Sequence, residues 1–395
     1  MQGDVSIKIV GVGGGGCRCA SDFVEELTNA VCIAMDTDEA SLMAAKAHEK
    51  ILLGKTVTRS SSTGGDVELA SKVLSADIDL IKNSINACDI VFIMSSLGGG
   101  TGSVIAPEVA KIARQAGAIT IAFCTLPSSF EGSQKQSVAR RAMGKMAELC
   151  DMVVALANDD MLMTSQSDLK QALEDANRCV RASVSAICNM LAKTGLINLD
   201  IGALKNLFKE KLSNKTLFAY ARSDSQNKVN DALEKLKNFP ALKTDFAARR
   251  ASKLIASITC ASDTSIQEIK EVLSGIADTF SDTTEVLFGA VLDESYKGAI
   301  EVFAMGVAAA QEEPRQEAKL ELPSKVEKPE PQLRRRKLSS DKKRQESNSQ
   351  SEFGFVDVEL KRGFFEDTEP NLYGKEDLDV PTFMRRKIKI HLKKI

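Results

Sequence analysis

Short runs of β-branched and other apolar residues alternate with longer stretches of helical periodicity along the first half of the chain. The apolar runs are SIKIVGV, AVCIAMD, DIVFIMSS, AITIAFCTL and DMVVALA. Strands that are apolar at almost every position are buried on both faces, as in a parallel sheet covered by helices. The pattern therefore predicts an α/β domain with a parallel sheet over residues 1–193.

The second half of the chain changes its pattern three times. A helical stretch without Pro or Gly, at about residues 167–192, predicts a long helix that links two domains. The runs TLFAYAR, SKLIASITC, EVLFGAVL and AIEVFAMGVA then predict a second, smaller α/β domain over residues 212–310. Residues 311–376 are rich in Pro, Ser and charged residues and predict a disordered linker. Residues 377–395 regain apolar character and become basic, which is typical of a short docking peptide.

Composition narrows the classes of protein that fit. A chain of 395 residues with 43% hydrophobic residues and a formal charge of -2 is long enough for two cored domains and has no nucleic-acid signature. The first strand starts within a few residues of the N-terminus and no apolar run is long enough to span a bilayer, so we expect a cytoplasmic protein. Nine cysteines in mostly apolar segments indicate reduced thiols.

Two glycine-rich loops follow predicted strands. In GVGGGGCRCA, Gly11, Gly13 and Gly16 satisfy G-x-G-x-x-G, and Asp36 ends the next strand, as in a dinucleotide fingerprint. LGGGTGS, residues 97–103, precedes a helix, so its backbone amides and the helix dipole would favour an anion. No lysine follows in the P-loop pattern. Two such loops favour a triphosphate over a dinucleotide, although each is also compatible with a tight strand-to-helix turn.

Polar residues at further strand ends extend this prediction. Asp36 and Asn158 are placed to reach a ribose or to cap a helix, and Glu131 is a candidate for another polar contact. On the long helix, Leu173 and Asn177 stand four residues apart and share one face. Asn177 is a candidate for reading a base or, alternatively, a solvated side chain.

The segment GLINLDIGALK, residues 195–205, completes a set of motifs that resembles the FtsZ family, the bacterial relatives of tubulin. GGGTGS resembles the phosphate signature of that family, and GVGGGG, Asp-Thr-Asp, Phe-Glu-Gly, Asn-Asp and GLINLD have its order and spacing. The resemblance covers about residues 5–310 and the C-terminal tail. It implies an N-terminal Rossmann-like GTP-binding domain, a long central helix, a synergy loop with its following helix at residues 194–211, and a smaller C-terminal α/β domain.

The resemblance also implies GTP and GDP as ligands, magnesium on the phosphates without a direct side-chain ligand, and self-assembly into head-to-tail filaments of the cell-division Z ring at mid-cell. Asn198 and Asp200 of the synergy loop would act on the γ-phosphate of the neighbouring subunit. The residues implied to bind the nucleotide are Gly13, Gly14, Gly15, Gly16, Arg18, Asp36, Gly64, Gly65, Gly98, Gly99, Gly100, Thr101, Gly102, Ser103, Glu131, Lys135, Asn158, Leu173 and Asn177.

Several positions depart from the family pattern. Ala203 stands where a second acid of the synergy loop is expected, which predicts slow hydrolysis. Arg18 and Asp36 replace asparagines, Lys135 replaces an arginine, and Leu173 replaces an aromatic ring stacked on guanine. Two alternatives stay open: a nucleotide-gated filament protein with weak or no GTPase activity, and a dinucleotide-binding oxidoreductase.

The tail resembles the docking peptide of the same family, which binds membrane-tethering division adaptors such as FtsA- or ZipA-like proteins. The residues that carry this resemblance are Asp379, Val380, Pro381, Phe383, Met384 and Arg385. After Arg386, the sequence KIKIHLKKI alternates apolar residues with cations and is a candidate for weak direct lipid contact. A solvated basic tail is the alternative.

Overall fold

The computed structural model describes residues 5–164, 169–192, 196–208, 214–281 and 286–308, with 372–373 and 376–377. The chain divides into two compact units, Met1–Ala318 and Lys319–Ile395. In the second unit, the described residues form the antiparallel pair Leu372–Tyr373 and Glu376–Asp377. The predicted docking residues and nearly all of the predicted linker lie outside the described residues.

The first unit begins with a six-stranded parallel sheet in the order β3-β2-β1-β4-β5-β6. Its strands are β1 Ile7–Val12, β2 Ala30–Asp36, β3 Glu49–Leu52, β4 Ile90–Ser96, β5 Ile119–Leu126 and β6 Met152–Ala157. The structure confirms the apolar runs predicted as strands. It adds β3, a short edge strand that begins with Glu49 and Lys50, because charges on an edge strand hide the apolar signal.

Helices cover this sheet and connect its strands. They are α1 Gly13–Ser21, α2 Glu39–Ala44, α3 Val67–Ile85, α4 Gly100–Gln115, α5 Ser133–Leu149 and α6 Asn158–Thr164. The predicted long helix is α7 Leu169–Leu191, and α8 Ile201–Phe208 follows the synergy loop. Among the described residues, no helix combines the length and the apolar character needed to cross a bilayer.

A four-stranded sheet follows, in the order β7-β10-β8-β9. Its strands are β7 Thr216–Ser223, β8 Lys253–Cys260, β9 Val286–Leu292 and β10 Ile300–Val307, and its helices are α9 Lys228–Lys237 and α10 Ile266–Phe280. β10 is antiparallel to both β7 and β8, whereas β8 and β9 are parallel. This is the second α/β arrangement that the sequence predicts.

The two sheets share one hydrophobic core. The rings of Phe123 on β5 and Phe218 on β7 meet edge to face, 5.8 Å apart, and both belong to one buried cluster with Ile187 of α7. The Thr216 hydroxyl donates to the backbone carbonyl of Val153 on β6. The second sheet is therefore packed directly against the first, with α7 contributing to the same core.

Candidate nucleotide site

Two helices begin at the carboxyl ends of the neighbouring strands β1 and β4. This is the topological switch point of the parallel sheet, since β2 and β3 lie on one side of β1 and β4 to β6 on the other. Neither α1, preceded by Val12, nor α4, preceded by Gly99, has a side-chain cap or an acid in its first turn. α3, by contrast, is capped by Asp66, which accepts from two backbone amides. The uncapped amides of α1 and α4 are therefore available to an anion.

Glycine lets these two helix ends approach the sheet and each other. Gly13 has φ +72°, and a Cβ there would lie 3.2 Å from the Gly102 backbone nitrogen. A Cβ on Gly16 would lie 2.2 Å from the Met94 carbonyl oxygen on β4. A side chain at Gly16 would therefore push α1 off the sheet.

A cavity of about 310 Å³ lies between the two helix ends, and we call it the glycine half of the site. The predicted residues that line it are Gly13, Gly14, Gly15, Asp36, Gly65, Gly98, Gly99, Gly100, Thr101, Gly102, Glu131 and Lys135. Lys135 Nζ is bound to Glu131 Oε2 at 3.1 Å, and Glu131 Oε1 accepts from the Ser128 amide. Burial raises the pKa of Asp36, and the amides of Thr37 and Asp38 partly offset this by donating to its carboxylate.

Three threonine hydroxyls tie the loops of the glycine half together. Thr101 Oγ1 lies 2.9 Å from Thr37 Oγ1 and 3.4 Å from Thr63 Oγ1, and all three residues are buried. Thr63 is the buried residue of an otherwise exposed stretch, 61–66, and its hydroxyl would block a Cβ on Gly100. The network therefore holds this exposed loop against the start of α4.

A second cavity, of about 490 Å³, continues from the first, and we call it the asparagine half. The two halves share Gly15, Ser96, Leu97 and Glu131, so they form one cleft at the carboxyl ends of the strands. The predicted residues that line the asparagine half are Gly15, Gly16, Arg18, Glu131, Asn158 and Asn177. Phe123, Leu156 and Val180 supply apolar walls. Together the halves have the size and mixed polarity of a small-molecule site.

Some predicted residues are not at the cleft surface. Gly64 is exposed and does not line either half. The Ser103 hydroxyl is buried and accepts from the Gly98 amide at 2.9 Å, so it shapes the loop. Leu173 lies on α7, and its side chain is outside the described residues. Sequence reasoning missed Thr63 and Asp22. Neither residue stands in a recognisable motif, and only the fold brings them to the cleft.

The synergy-loop residues Asn198 and Asp200 lie away from this cleft. Lys205 of α8 binds Asp89 at 2.7 Å, and Asp89 comes just before β4, at the opposite end of that strand from the glycine loop. The seven residues of β4 span about 20 Å.

A second measure gives the same separation. Asn177 of α7 lines the cleft, whereas Met190, thirteen residues and roughly 20 Å further along α7, accepts from the Leu199 amide at 3.1 Å. One chain therefore presents its glycine loops at the carboxyl ends of the strands and its synergy loop at the amino ends.

Asp200 has a local role as well. It precedes α8, and its Oδ2 accepts from the Ala203 amide at 3.0 Å. Its side chain is exposed, as is that of Asn198. Both are therefore accessible at the surface that faces away from the cleft.

Family models match this architecture in two places. The model described as Tubulin/FtsZ family, GTPase domain, matches residues 6–166, and the FtsZ family C-terminal domain matches residues 215–309. The cell division protein FtsZ 1 of Pyrococcus woesei is 30% identical over 321 residues, covering 80% of this chain and 86% of that protein. The chain belongs to the FtsZ family. FtsZ 1 of Pyrococcus furiosus is 29% identical over 321 residues, covering 80% and 85% of the two chains.

Solved structures agree with this assignment. A mutant FtsZ of M. jannaschii has a TM-score of 0.71 at 28% identity and covers 78% of this chain and 92% of that one. CetZ2 of Haloferax volcanii, solved as a GTPγS-bound protofilament, has a TM-score of 0.60 at 20% identity and covers 78% and 95%; it supports the fold alone. The family assignment leaves the oxidoreductase alternative without support. As a divergent FtsZ family member, the chain carries a GTPase domain of the tubulin type.

Oxygen atoms of the kind that magnesium prefers line the glycine half. Asp36, Asp38 and the threonine hydroxyls are oxygen donors, which Mg²⁺ prefers. Within the described residues, no group of three or more His, Cys, Asp or Glu side chains could hold a metal ion. The oxygen atoms of Asp36, Asp38 and the threonines are compatible with a magnesium ion that arrives with a phosphate ligand.

Proposed function

We propose that this chain is a GTP-dependent cytoskeletal protein of cell division, which polymerises head to tail into the filaments of the Z ring and hydrolyses GTP at the subunit interface. The observation that carries the proposal is the separation of the glycine loops from Asn198 and Asp200, which lie at opposite ends of the strands of one sheet. A head-to-tail contact brings the glycine loops of one copy against the synergy loop of the next, and such a contact repeats into a filament. Relatives of this fold have been solved as an FtsZ dimer and as a CetZ2 protofilament.

In this proposal, the triphosphate occupies the glycine half, where the amides of α1 and α4 donate to its oxygens. Glu131 and Asn158 hold the ribose, and Asn177 contacts the guanine in the asparagine half. Magnesium on the phosphates would neutralise their charge, which Asp36, Asp38 and Glu131 would otherwise repel.

Catalysis depends on the second copy. Asn198 and Asp200 of the neighbour orient a water for in-line attack on the γ-phosphate. Ala203 provides no second carboxylate, and Asp200 already accepts the Ala203 amide. We therefore expect slow hydrolysis, and this also keeps a second candidate in view: a nucleotide-gated filament protein with weak or no GTPase activity.

The remaining expectations concern the tail. Residues 379–385 would bind FtsA- or ZipA-like adaptors and so bring a cytoplasmic filament to the membrane at mid-cell, with the basic end as a weak lipid contact.

Mixing two inactive variants tests the shared site. Gly99→Asp places the residue preferred at a helix N-cap before α4, where no atom lies within 4 Å of a new Cβ, so its carboxylate competes with phosphate while the fold is kept. Asp200→Ala removes the acid of the synergy loop. Gly144→Asp, also in open space, is the matched control.

Each of the two variants alone should lose GTPase activity, and an equimolar mixture should recover about a quarter of the wild-type rate, because about a quarter of the contacts pair an intact loop with an intact cleft. A mixture that stays inactive, although light scattering shows assembly, would refute the shared site. Light scattering that rises with GTP in the wild type, without phosphate release, would favour the second candidate.

A further inference from the structure

One basic side chain, Arg18, lies in the asparagine half of the cleft. Arg18 is in the last turn of α1 and lines the asparagine half, whereas Lys135 lines the glycine half. Its side chain is exposed, and in the described part of the chain it forms no ion pair or hydrogen bond. Lys135, by contrast, is bound to Glu131. Arg18 therefore has a free guanidinium in the asparagine half, which is where the proposed function places the base.

Apolar residues and an acid line the same cavity as Arg18. Phe123, Leu156 and Val180 are apolar residues of the same cavity. Asp22 lies one helical turn beyond Arg18 and lines the cavity too, so a donor and an acceptor stand about 5–6 Å apart at their Cβ atoms. The edge of a bound base would therefore face a guanidinium and a carboxylate.

The donor pattern discriminates between purines. A guanidinium only donates hydrogen bonds, and guanine presents two acceptors, O6 and N7, on one edge. Adenine presents N7 beside the N6 amino donor, so one N–H of the guanidinium would face another donor. Guanine N1–H and its N2 amino group are donors, which a carboxylate such as that of Asp22 accepts.

We propose that Arg18 is a specificity-determining residue, which selects guanine by donating to both O6 and N7 of the base. The inference rests on the proposed function, since it requires a guanine nucleotide in the cleft. It assigns base selection to a side chain on α1, in addition to the contact proposed for Asn177 on α7.

Nucleotide analogues test the assignment directly. The full chain and its Arg18→Gln variant are titrated with a fluorescent GTP analogue, which is then displaced by GTP, by 7-deaza-GTP, which lacks the N7 acceptor, and by ATP. Arg141→Gln is the matched control, because Arg141 is exposed on α5 and lines neither half of the cleft. Thermal unfolding of all three proteins checks that each is folded.

In the wild type, 7-deaza-GTP should bind several-fold more weakly than GTP. Arg18→Gln should weaken GTP by roughly 5- to 150-fold and abolish the difference between GTP and 7-deaza-GTP. Arg141→Gln should behave as the wild type.

Two results would overturn the inference while leaving the proposed function intact: equal affinities of wild type for GTP and 7-deaza-GTP, or an unchanged GTP/7-deaza-GTP ratio in Arg18→Gln. Equal weakening of both nucleotides would mean that Arg18 acts by charge or stacking. A wild-type chain that binds no guanine nucleotide would refute the proposed function itself.

Discussion

The close contact between α1 and β4 makes Gly16 a sharp test of how the cleft is built. In Gly16→Ala, the new Cβ would lie 2.2 Å from the Met94 carbonyl oxygen and 3.2 Å from Ser95 Cα, both of them backbone atoms of a central strand. An ordinary contact begins at about 3.4 Å, so helix and strand must separate by about 1 Å. Because the strand is buried and paired on both sides, most of that movement falls on α1.

The cost follows from this displacement. Overpacking of a tight interior contact destabilises a protein by about 1–3 kcal/mol. At about 2–4 °C per kcal/mol for a domain of this size, we expect the melting temperature to fall by roughly 2–12 °C. The α1 amides also move away from the phosphates, and the loss of charge-assisted hydrogen bonds should weaken GTP binding by roughly 10- to 100-fold.

Gly14→Ala is the matched control on the same helical turn. Its Cβ would meet Ser41 Oγ at 3.5 Å and Asp36 Oδ2 at 3.6 Å, which are ordinary contacts. Replacing glycine within a helix stabilises it by about 0.5–1 kcal/mol, so this variant should melt at or slightly above the wild-type temperature. Calorimetry and fluorescent GTP titration measure both quantities. If Gly16→Ala melted within about 1 °C of Gly14→Ala, the argument from helix–strand contact would be wrong.

Three further predictions concern the hydroxyl network, an ion pair and the synergy loop. Thr101→Val should cost about 1–3 kcal/mol in urea unfolding, because the buried Thr37 hydroxyl loses its 2.9 Å partner; an equal loss in Thr101→Ser would contradict this. The Lys205 hydrogen bond lowers the pKa of Asp89, so this half-exposed pair stabilises the fold fully above the normal carboxyl pKa and loses that stabilisation as the pH falls through the lowered pKa of Asp89. Lys205→Ala should therefore lower the melting temperature slightly at about pH 7 and by less at about pH 3, and an equal difference at both pH values would refute the assignment. Ala203→Asp should raise phosphate release per subunit by roughly 10²- to 10⁴-fold, and no gain in assembled protein would mean that this acid does not limit hydrolysis.

Much of the fold could be predicted because its strands carry their own signal. β4 is buried at almost every position, and a run such as IVFIMSS is unlike any surface segment. β3 could not be found in this way, because a four-residue edge strand with two exposed charges at its start resembles a loop. The glycine loops also carry a local signal, because several adjacent glycines after a buried strand have few structural explanations.

The sequence by itself determined the two glycine loops, the alternation of strands and helices apart from β3, and the synergy-loop motif, because each depends on residues that are neighbours in the chain. Only the tertiary structure decided that Thr63 hydrogen-bonds Thr101 and that Asp22 shares a cavity with Asn177. These contacts join segments far apart in sequence, and they arise from the way in which helices pack on a parallel sheet. The same packing places Asp200 at the opposite end of the strands from the glycine loops, since β4 and the segment of α7 from Asn177 to Met190 each span about 20 Å.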